Sequence, residues 1–177
     1  MTTGSSEEWG NHLRELERGA LHRFFDWEMN QLPNWKAGVY TIWAGDDFLY
    51  AGMGGRGLTT EAQAARDGGR RKGLLDRLHS HASGRRSGDQ FCIYVFDRLL
   101  LPSLSRDEIE GGASGRLSLD AKVRGYVRER LGYRYVVVSD SREAANLERM
   151  VRRNGLSGTR PRLNPLVTLH QADEPGE

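Results

Sequence analysis

One cysteine, Cys92, stands in 177 residues, which excludes a disulfide framework and a cysteine-rich zinc site. Long apolar runs are missing too. Nowhere do about 18 apolar residues follow one another, so the sequence offers no membrane-spanning helix. The first residues, Met1-Thr2-Thr3-Gly4-Ser5-Ser6-Glu7-Glu8, are polar and acidic. They do not read as a secretory signal, and a cytoplasmic protein is expected. Lysine is scarce: Lys36, Lys72 and Lys122 are the only ones among 26 basic residues. Positive charge is therefore carried by arginine, the better bidentate partner of phosphate.

What is present suits one soluble globular domain, with 37% hydrophobic and 28% charged residues. The net charge of +2 hides an uneven distribution. Residues 1–30 carry a net −3, residues 66–86 a net +5 and residues 140–164 a net +3. Two separated basic segments fit a nucleic-acid backbone. Solvated surface charge accounts for them equally well.

Residues 38–52 read Gly-Val-Tyr-Thr-Ile-Trp-Ala-Gly-Asp-Asp-Phe-Leu-Tyr-Ala-Gly. Two short β-prone runs flank a Gly-Asp-Asp turn, which predicts a tight hairpin. A three-residue loop, 45–47, pairs Ala44 with Phe48 and Ile42 with Tyr50. Tyr40 and Tyr50 then share a face, because side chains alternate with period two. A two-residue loop would separate them. Paired aromatics on a pleated surface need no function, so the hairpin alone does not define a site.

Upstream, Ser5 and Glu8 form a candidate capping box for a helix carrying Trp9, Leu13, Leu16, Ala20 and Phe24 at helical spacing, ended by Leu32-Pro33-Asn34. Residues 1–35 are expected to form a helical extension packed on a domain spanning 36–165, with 166–177 a flexible tail. Residues 52–57 read as a flexible loop, and 60–66 as a short helix broken by Asp67-Gly68-Gly69. The glycine run lacks the Gly-Lys-Ser/Thr ending of a phosphate loop. Further helices are expected at 73–82, 104–110, 118–131 and 141–154, and strands at 90–96 and 133–138. The mixture, without strict alternation, predicts an α+β fold with a small, mostly antiparallel sheet.

In the helix at 73–82, Arg77 and His81 are four apart and share a face on the shoulder of the Leu74, Leu75, Leu78 stripe. Such a pair can offer a guanidinium to phosphate and an imidazole to a proton, or be a solvated basic face. In the last helix Glu148 lies about 70° from the centre of the Ala144, Leu147, Val151 face, and Glu143 about as far on the other side. A carboxylate beside a buried stripe needs a cation or donors. An arginine such as Arg77 or Arg152 would serve, and so would Mg²⁺ or Mn²⁺.

Together these residues resemble the GIY-YIG nucleases. Gly38-Val39-Tyr40 stands for the first triplet and Tyr50-Ala51-Gly52 for the second. Arg77 resembles the helix arginine and His81 the second helix residue. Glu148, in Ala-Asn-Leu-Glu-Arg-Met-Val, resembles the metal-binding glutamate, which favours it over Glu143. Asn164, in Arg-Pro-Arg-Leu-Asn-Pro, resembles the closing asparagine. The resemblance covers about residues 36–165. Val39 and Ala51 each replace isoleucine, and Met53 stands where many repair-type members carry lysine. The insert at 54–72 and the Arg-x-x-x-His pair are closer to the restriction-endonuclease branch.

The resemblance implies phosphodiester hydrolysis of DNA with Mg²⁺ or Mn²⁺ held by Glu148. Arg77 would neutralise a phosphate oxygen. Tyr40 would activate the attacking water with His81 nearby, Tyr50 would bond near the scissile phosphate, and Asn164 would orient a neighbour or the phosphate. Arg56, Arg70, Arg71, Lys72, Arg85 and Arg86 are candidate DNA contacts. A homodimer would suit double-strand cleavage. A nuclease for single-stranded, branched or modified DNA and a non-catalytic nucleic-acid-binding module are the alternative readings.

Overall fold

The computed structural model describes residues 6–29, 32–64 and 72–165. Ser5 of the expected capping box, residues 65–71 and the tail from 166 lie outside the described residues.

The architecture is α+β. A four-stranded antiparallel sheet has the order β1-β4-β2-β3, where β1 is His22–Arg23, β2 Gly38–Ala44, β3 Asp47–Gly54 and β4 Gly132–Val137. β2 is central and buried on both faces, from Gly38 to Trp43. Alternation along it defines two cores. Tyr40 and Ile42 face Leu74, Leu78, Phe91, Val123 and Val127. Val39 and Trp43 face Leu16, Ala144, Leu147 and Val151. The first core is covered by α3 (Leu74–Ser83), α4 (Gln90–Val95) and α6 (Leu119–Arg130). The second is covered by α1 (Ser6–Arg18) and α7 (Ser141–Asn154). Two short helices, α2 (Thr60–Ala64) and α5 (Arg106–Ala113), complete the set among the described residues.

Helix starts follow local chemistry. Asp140 accepts from the backbone of Arg142 and Glu143 at α7, Ser118 caps α6, and Ser105 forms a capping box with Glu108 at α5. Gly155 ends α7 with φ of 77°, where a side chain would be strained.

Five local expectations are corrected. The first helix stops at Arg18; His22 and Arg23 then pair with Tyr133 and Gly132 of β4, and Phe24–Met29 forms a 3₁₀ turn. A helix continuing through this stretch would deny the sheet its fourth strand. The glycine run after Tyr50 is not a loop at its start, because β3 continues to Gly54, paired with Gly38. The helix expected at 104–110 runs instead from Arg106 to Ala113.

Residues 90–96 are not a strand. Gln90–Val95 is helix α4, continued by a π-helical turn over Phe96–Leu100. The β-prone run Phe-Cys-Ile-Tyr-Val buries Phe91, Cys92 and Val95, a helical spacing rather than an alternating one. Asp89 decides the matter locally: its Oδ1 accepts from the backbone N–H of Phe91 at 3.0 Å and of Cys92 at 3.4 Å.

The hairpin loop also differs. Ala44 pairs with Asp47, so the loop holds only Gly45 and Asp46, with Gly45 at φ 59°. Trp43 pairs with Phe48 but Ile42 pairs with Tyr50, so Leu49 is an extra residue in β3. That bulge converts the even loop into the register an odd loop would give. Tyr40 and Tyr50 consequently face the same core, their ring centroids 6.5 Å apart.

Candidate active site

β3 is an edge strand, flanked by α3 on one face of the sheet and α7 on the other. Where the two layers meet beyond this edge lies a cleft of about 550 Å³. Tyr40 and Tyr50 form its inner wall, with Arg77 from α3 and Glu148 from α7 on its sides. Both of those side chains come from the shoulders of their apolar stripes, positions from which they can reach toward the sheet edge. Arg56, Lys72 and Arg152 add positive charge, against Asp76 and Glu148.

The two triplet glycines have steric reasons. A Cβ on Gly52 would collide with the Tyr40 phenol oxygen and lie 3.0 Å from the Tyr50 ring. A Cβ on Gly38 would meet the Val136 carbonyl and lie 2.6 Å from Leu74 Cδ1. Gly52 lets the phenol lie across β3, and Gly38 lets α3 and β4 approach β2.

Behind Tyr40 runs a chain of buried polar groups. Its hydroxyl lies 2.7 Å from His81 Nε2, and His81 Nδ1 lies 2.8 Å from Asp89 Oδ2. Ser80 Oγ also donates to Asp89 Oδ2, at 2.7 Å. Tyr40 and His81 have no exposed surface and Asp89 only 1%. An ionised carboxylate only accepts, so Nδ1 of His81 carries the hydrogen. In the neutral ring Nε2 is then the acceptor, and the Tyr40 hydroxyl donates to it.

The charge states follow from burial. Burial, and secondarily Tyr50, pushes the Tyr40 phenol well above its ordinary range despite the nearby Arg77 guanidinium. Burial likewise raises Tyr50. Both are neutral phenols at rest. Burial pulls His81 down, with Asp89 opposing and Arg77 adding to the fall, so the imidazole is neutral near pH 7. Burial alone would raise Asp89, but the His81 contact, the Ser80 hydrogen bond and Arg77 hold it at about 2. For Arg77, burial is outweighed by Tyr40 and Asp89, and the guanidinium stays charged.

Of the residues singled out from the sequence, Tyr40, Tyr50, Arg77, Glu148, Arg56 and Lys72 line the cleft. His81 does not; it stands fully buried behind Tyr40. Asn164 does not either. Its amide bonds both backbone groups of Ala51, accepting from N at 2.7 Å and donating to O at 2.9 Å. With Arg162 N on Phe48 O and Leu163 N on Leu49 O, it runs the chain along the open edge of β3. Asn164 therefore orients a neighbour, the strand that carries Tyr50.

Glu148 is paired with Arg152, 3.1 Å away and one helical turn on. Glu143 is turned elsewhere: its carboxylate accepts from Ser139 N, at 2.9 Å, and from Ser139 Oγ. Lys72 places its ammonium over the Trp35 ring, 5.0 Å from the centroid. Arg85 is exposed and away from the cleft lining. Arg86 is bonded to Asp120 at 2.7 Å and stacked over Phe96, a structural tether and not a free cation. Arg70 and Arg71 lie outside the described residues.

The residue missed by sequence reasoning is Asp89. Reading 90–96 as a strand placed it in a turn; a helix there would have made it the N-cap, eight residues from His81. The chain matches no protein-family model, no curated protein and no solved structure. Among the described residues no helix is long and apolar enough to cross a membrane.

Proposed function

We propose that the chain is a metal-dependent DNA endonuclease of the GIY-YIG type, hydrolysing phosphodiester bonds in restriction or defence. The observation that carries this reading is the convergence of Tyr40, Tyr50, Arg77 and Glu148, from four separate segments, on one cleft with a positive balance of charge. Nothing in packing alone requires two phenols, a guanidinium and a carboxylate to meet at one sheet edge.

Each group has a chemical role toward a phosphodiester. Arg77 offers hydrogen bonds and charge to a nonbridging oxygen. Tyr50 offers a hydroxyl beside it. Tyr40 holds an oxygen at the cleft wall that can take a proton from water while its own proton goes to His81. Arg56 and Lys72 at the rim suit the flanking backbone phosphates.

The donor set also fits Mg²⁺ or Mn²⁺. Among the described residues no three His, Cys, Asp or Glu side chains form a ready cage. Mg²⁺ does not need one: it keeps several waters and takes one or two carboxylates plus substrate phosphates. Glu148 would hold it, and Asp76 is the other carboxylate of the cleft. When bound, the ion supplies charge stabilisation to the phosphate and the leaving oxygen. Without the ion, Arg152 neutralises Glu148.

Digests of plasmid, single-stranded and modified DNA with Mg²⁺ test the reading. Glu148→Gln and Arg77→Ala are expected to bind DNA but to lose at least ~10²-fold in cutting rate, the scale of a lost transition-state contact. Undiminished cutting by Glu148→Gln sinks the site. Binding without cutting by the wild type on every substrate would favour a non-catalytic nucleic-acid module instead. A homodimer would serve double-strand cleavage, and sedimentation with a palindromic product tests it.

A further inference from the structure

We infer that Asp89 is a positioning residue that fixes the tautomer of His81 and thereby makes Tyr40, rather than His81, the group that takes a proton in the cleft. This rests on the hydrolytic reading of the same site. Three observations carry it. His81 and Tyr40 are equally buried, but Tyr40 lines the cleft and His81 stands behind it, off the lining. Its two ring nitrogens are both engaged, Nε2 with Tyr40 and Nδ1 with Asp89. Asp89 is itself held rigidly: Oδ1 accepts from Phe91 N and Cys92 N, and Oδ2 faces His81 Nδ1 and Ser80 Oγ.

Groups from several elements face His81. Tyr40 comes from β2, Tyr50 from β3 with its ring centroid 6.0 Å away, and Arg77 and Ser80 from α3 itself. Asp89 caps α4, while the Phe91 ring lies tilted against the imidazole, 4.6 Å between centroids, and Cys92 Sγ donates to the His81 carbonyl. Among these, Asp89 is the one anion placed to stabilise an imidazolium.

The proton bookkeeping closes. Water oxygen forms a bond to phosphorus as one water proton passes to the Tyr40 oxygen. The Tyr40 hydroxyl proton passes at the same time to His81 Nε2, giving an imidazolium paired with Asp89. The bond from phosphorus to the leaving oxygen breaks and its electron pair stays on that oxygen. When the imidazolium returns its proton to Tyr40, the phenol releases one to the cleft and the leaving oxygen is protonated from there. Because Tyr40 and His81 are both neutral at rest, the phenol need never exist as a free phenolate.

Asp89→Asn separates this relay from the fold. Oδ1 must remain an acceptor for Phe91 N and Cys92 N, and asparagine is as good an N-cap as aspartate. The amide nitrogen then takes the place of Oδ2 and points a donor at Nδ1. His81 must become an acceptor there, its hydrogen moves to Nε2, and Nε2 can no longer receive the Tyr40 proton. A wrong tautomer of this kind costs about 10⁴-fold in the Ser-His-Asp proteases.

The test uses the full chain. Imidazole nitrogen shifts in histidine-labelled protein, with the His81 signals assigned by their loss in His81→Asn, are expected to show hydrogen on Nδ1 in the wild type. In Asp89→Asn they are expected to show it on Nε2. The same tautomer in both proteins overturns the relay, whatever the protein cuts. In cutting assays Asp89→Asn is expected to lose at least ~100-fold in kcat with KM within about threefold. An unchanged kcat also overturns it. Failure of the wild type to cut any substrate counts against the nuclease reading alone, and the tautomer measurement still decides the role of Asp89.

Discussion

Tyr40 and Thr41 are neighbours in β2; both are fully buried, both are hydrogen-bonded, and they face opposite sides of the sheet. Their partners differ in kind. Thr41 Oγ1 donates to the Leu16 carbonyl at 2.7 Å and accepts from Trp43 Nε1 at 2.8 Å, tying α1 to the central strand. On that same side Gln63 accepts from Ala37 N and donates to Ser139 O. These bonds end on backbone or on neutral side chains and hold elements together. The Tyr40 side ends on groups that titrate, His81 and then Asp89, and it opens into a cleft. Both sets meet the cost of burying polar groups. Only one set can move a proton, and that distinction separates a structural hydrogen bond from a candidate site more reliably than burial does.

The sharpest way to break the contrast is to remove one oxygen from each side. Tyr40→Phe takes away only the hydroxyl. It is expected to lower kcat by about 10² or more, in the range of a removed acid–base group. His81 Nε2 would be left buried without a donor, at a stability cost of about 1–3 kcal/mol. Single-turnover cutting and urea midpoints measure the two effects separately. If Tyr40→Phe cuts at the wild-type rate, Tyr40 is as structural as its neighbour.

Thr41→Val is the counterpart. It keeps the shape but strands the Leu16 carbonyl and the Trp43 indole N–H. The expected cost is about 1–3 kcal/mol in stability, seen as a lower urea midpoint. Turnover per folded molecule is expected to stay at the wild-type value. A large loss of kcat without a loss of stability would put Thr41 in the same network as Tyr40, against the geometry.

The two sides were also unequally legible in the sequence. The α7 side was plain: the helix expected at 141–154, with Ala144, Leu147 and Val151 as its stripe, rests on local signals, and both hold. Period-3.6 arithmetic put Arg77 on the shoulder of its stripe but left Glu148 level with Glu143, and the resemblance to the GIY-YIG nucleases chose between them; the shared face of Tyr40 and Tyr50 was expected from an odd loop and is reached instead through the bulge. Two things were not legible. The bulge at Leu49 depends on Arg162 and Leu163 reaching over the strand edge from residues more than a hundred positions away. The helix at 90–95 was hidden because Phe, Cys, Ile, Tyr and Val favour strands in isolation, and burial against α3 and α6 overrode that preference. Losing that helix meant losing its cap, and with it the third member of the proton chain. A single wrong period thus cost the site residue that no motif announces.

The smallest expected effect is the one that tests the charge states directly. His81 sits below its ordinary pKa in the folded chain, so the unfolded chain takes up a proton first as pH falls. The stability this neutral ring confers is present above about pH 6.5 and declines as pH drops through that value toward the folded pKa. Asp89, held at about 2 against an ordinary 3.8, works in the same direction lower down, its contribution being lost as pH falls from about 4 toward 2. The protein is therefore expected to be acid-labile in two stages. Urea midpoints at about pH 7.5 and 5 should differ in the wild type and in Thr41→Val by the same amount, because the Thr41 hydroxyl is bonded to neutral groups, the Leu16 carbonyl and the Trp43 indole. In His81→Gln the difference should shrink, since the buried group that resists protonation is gone. An undiminished slope in His81→Gln would place the acid sensitivity elsewhere and remove the neutral imidazole on which the proton chain depends.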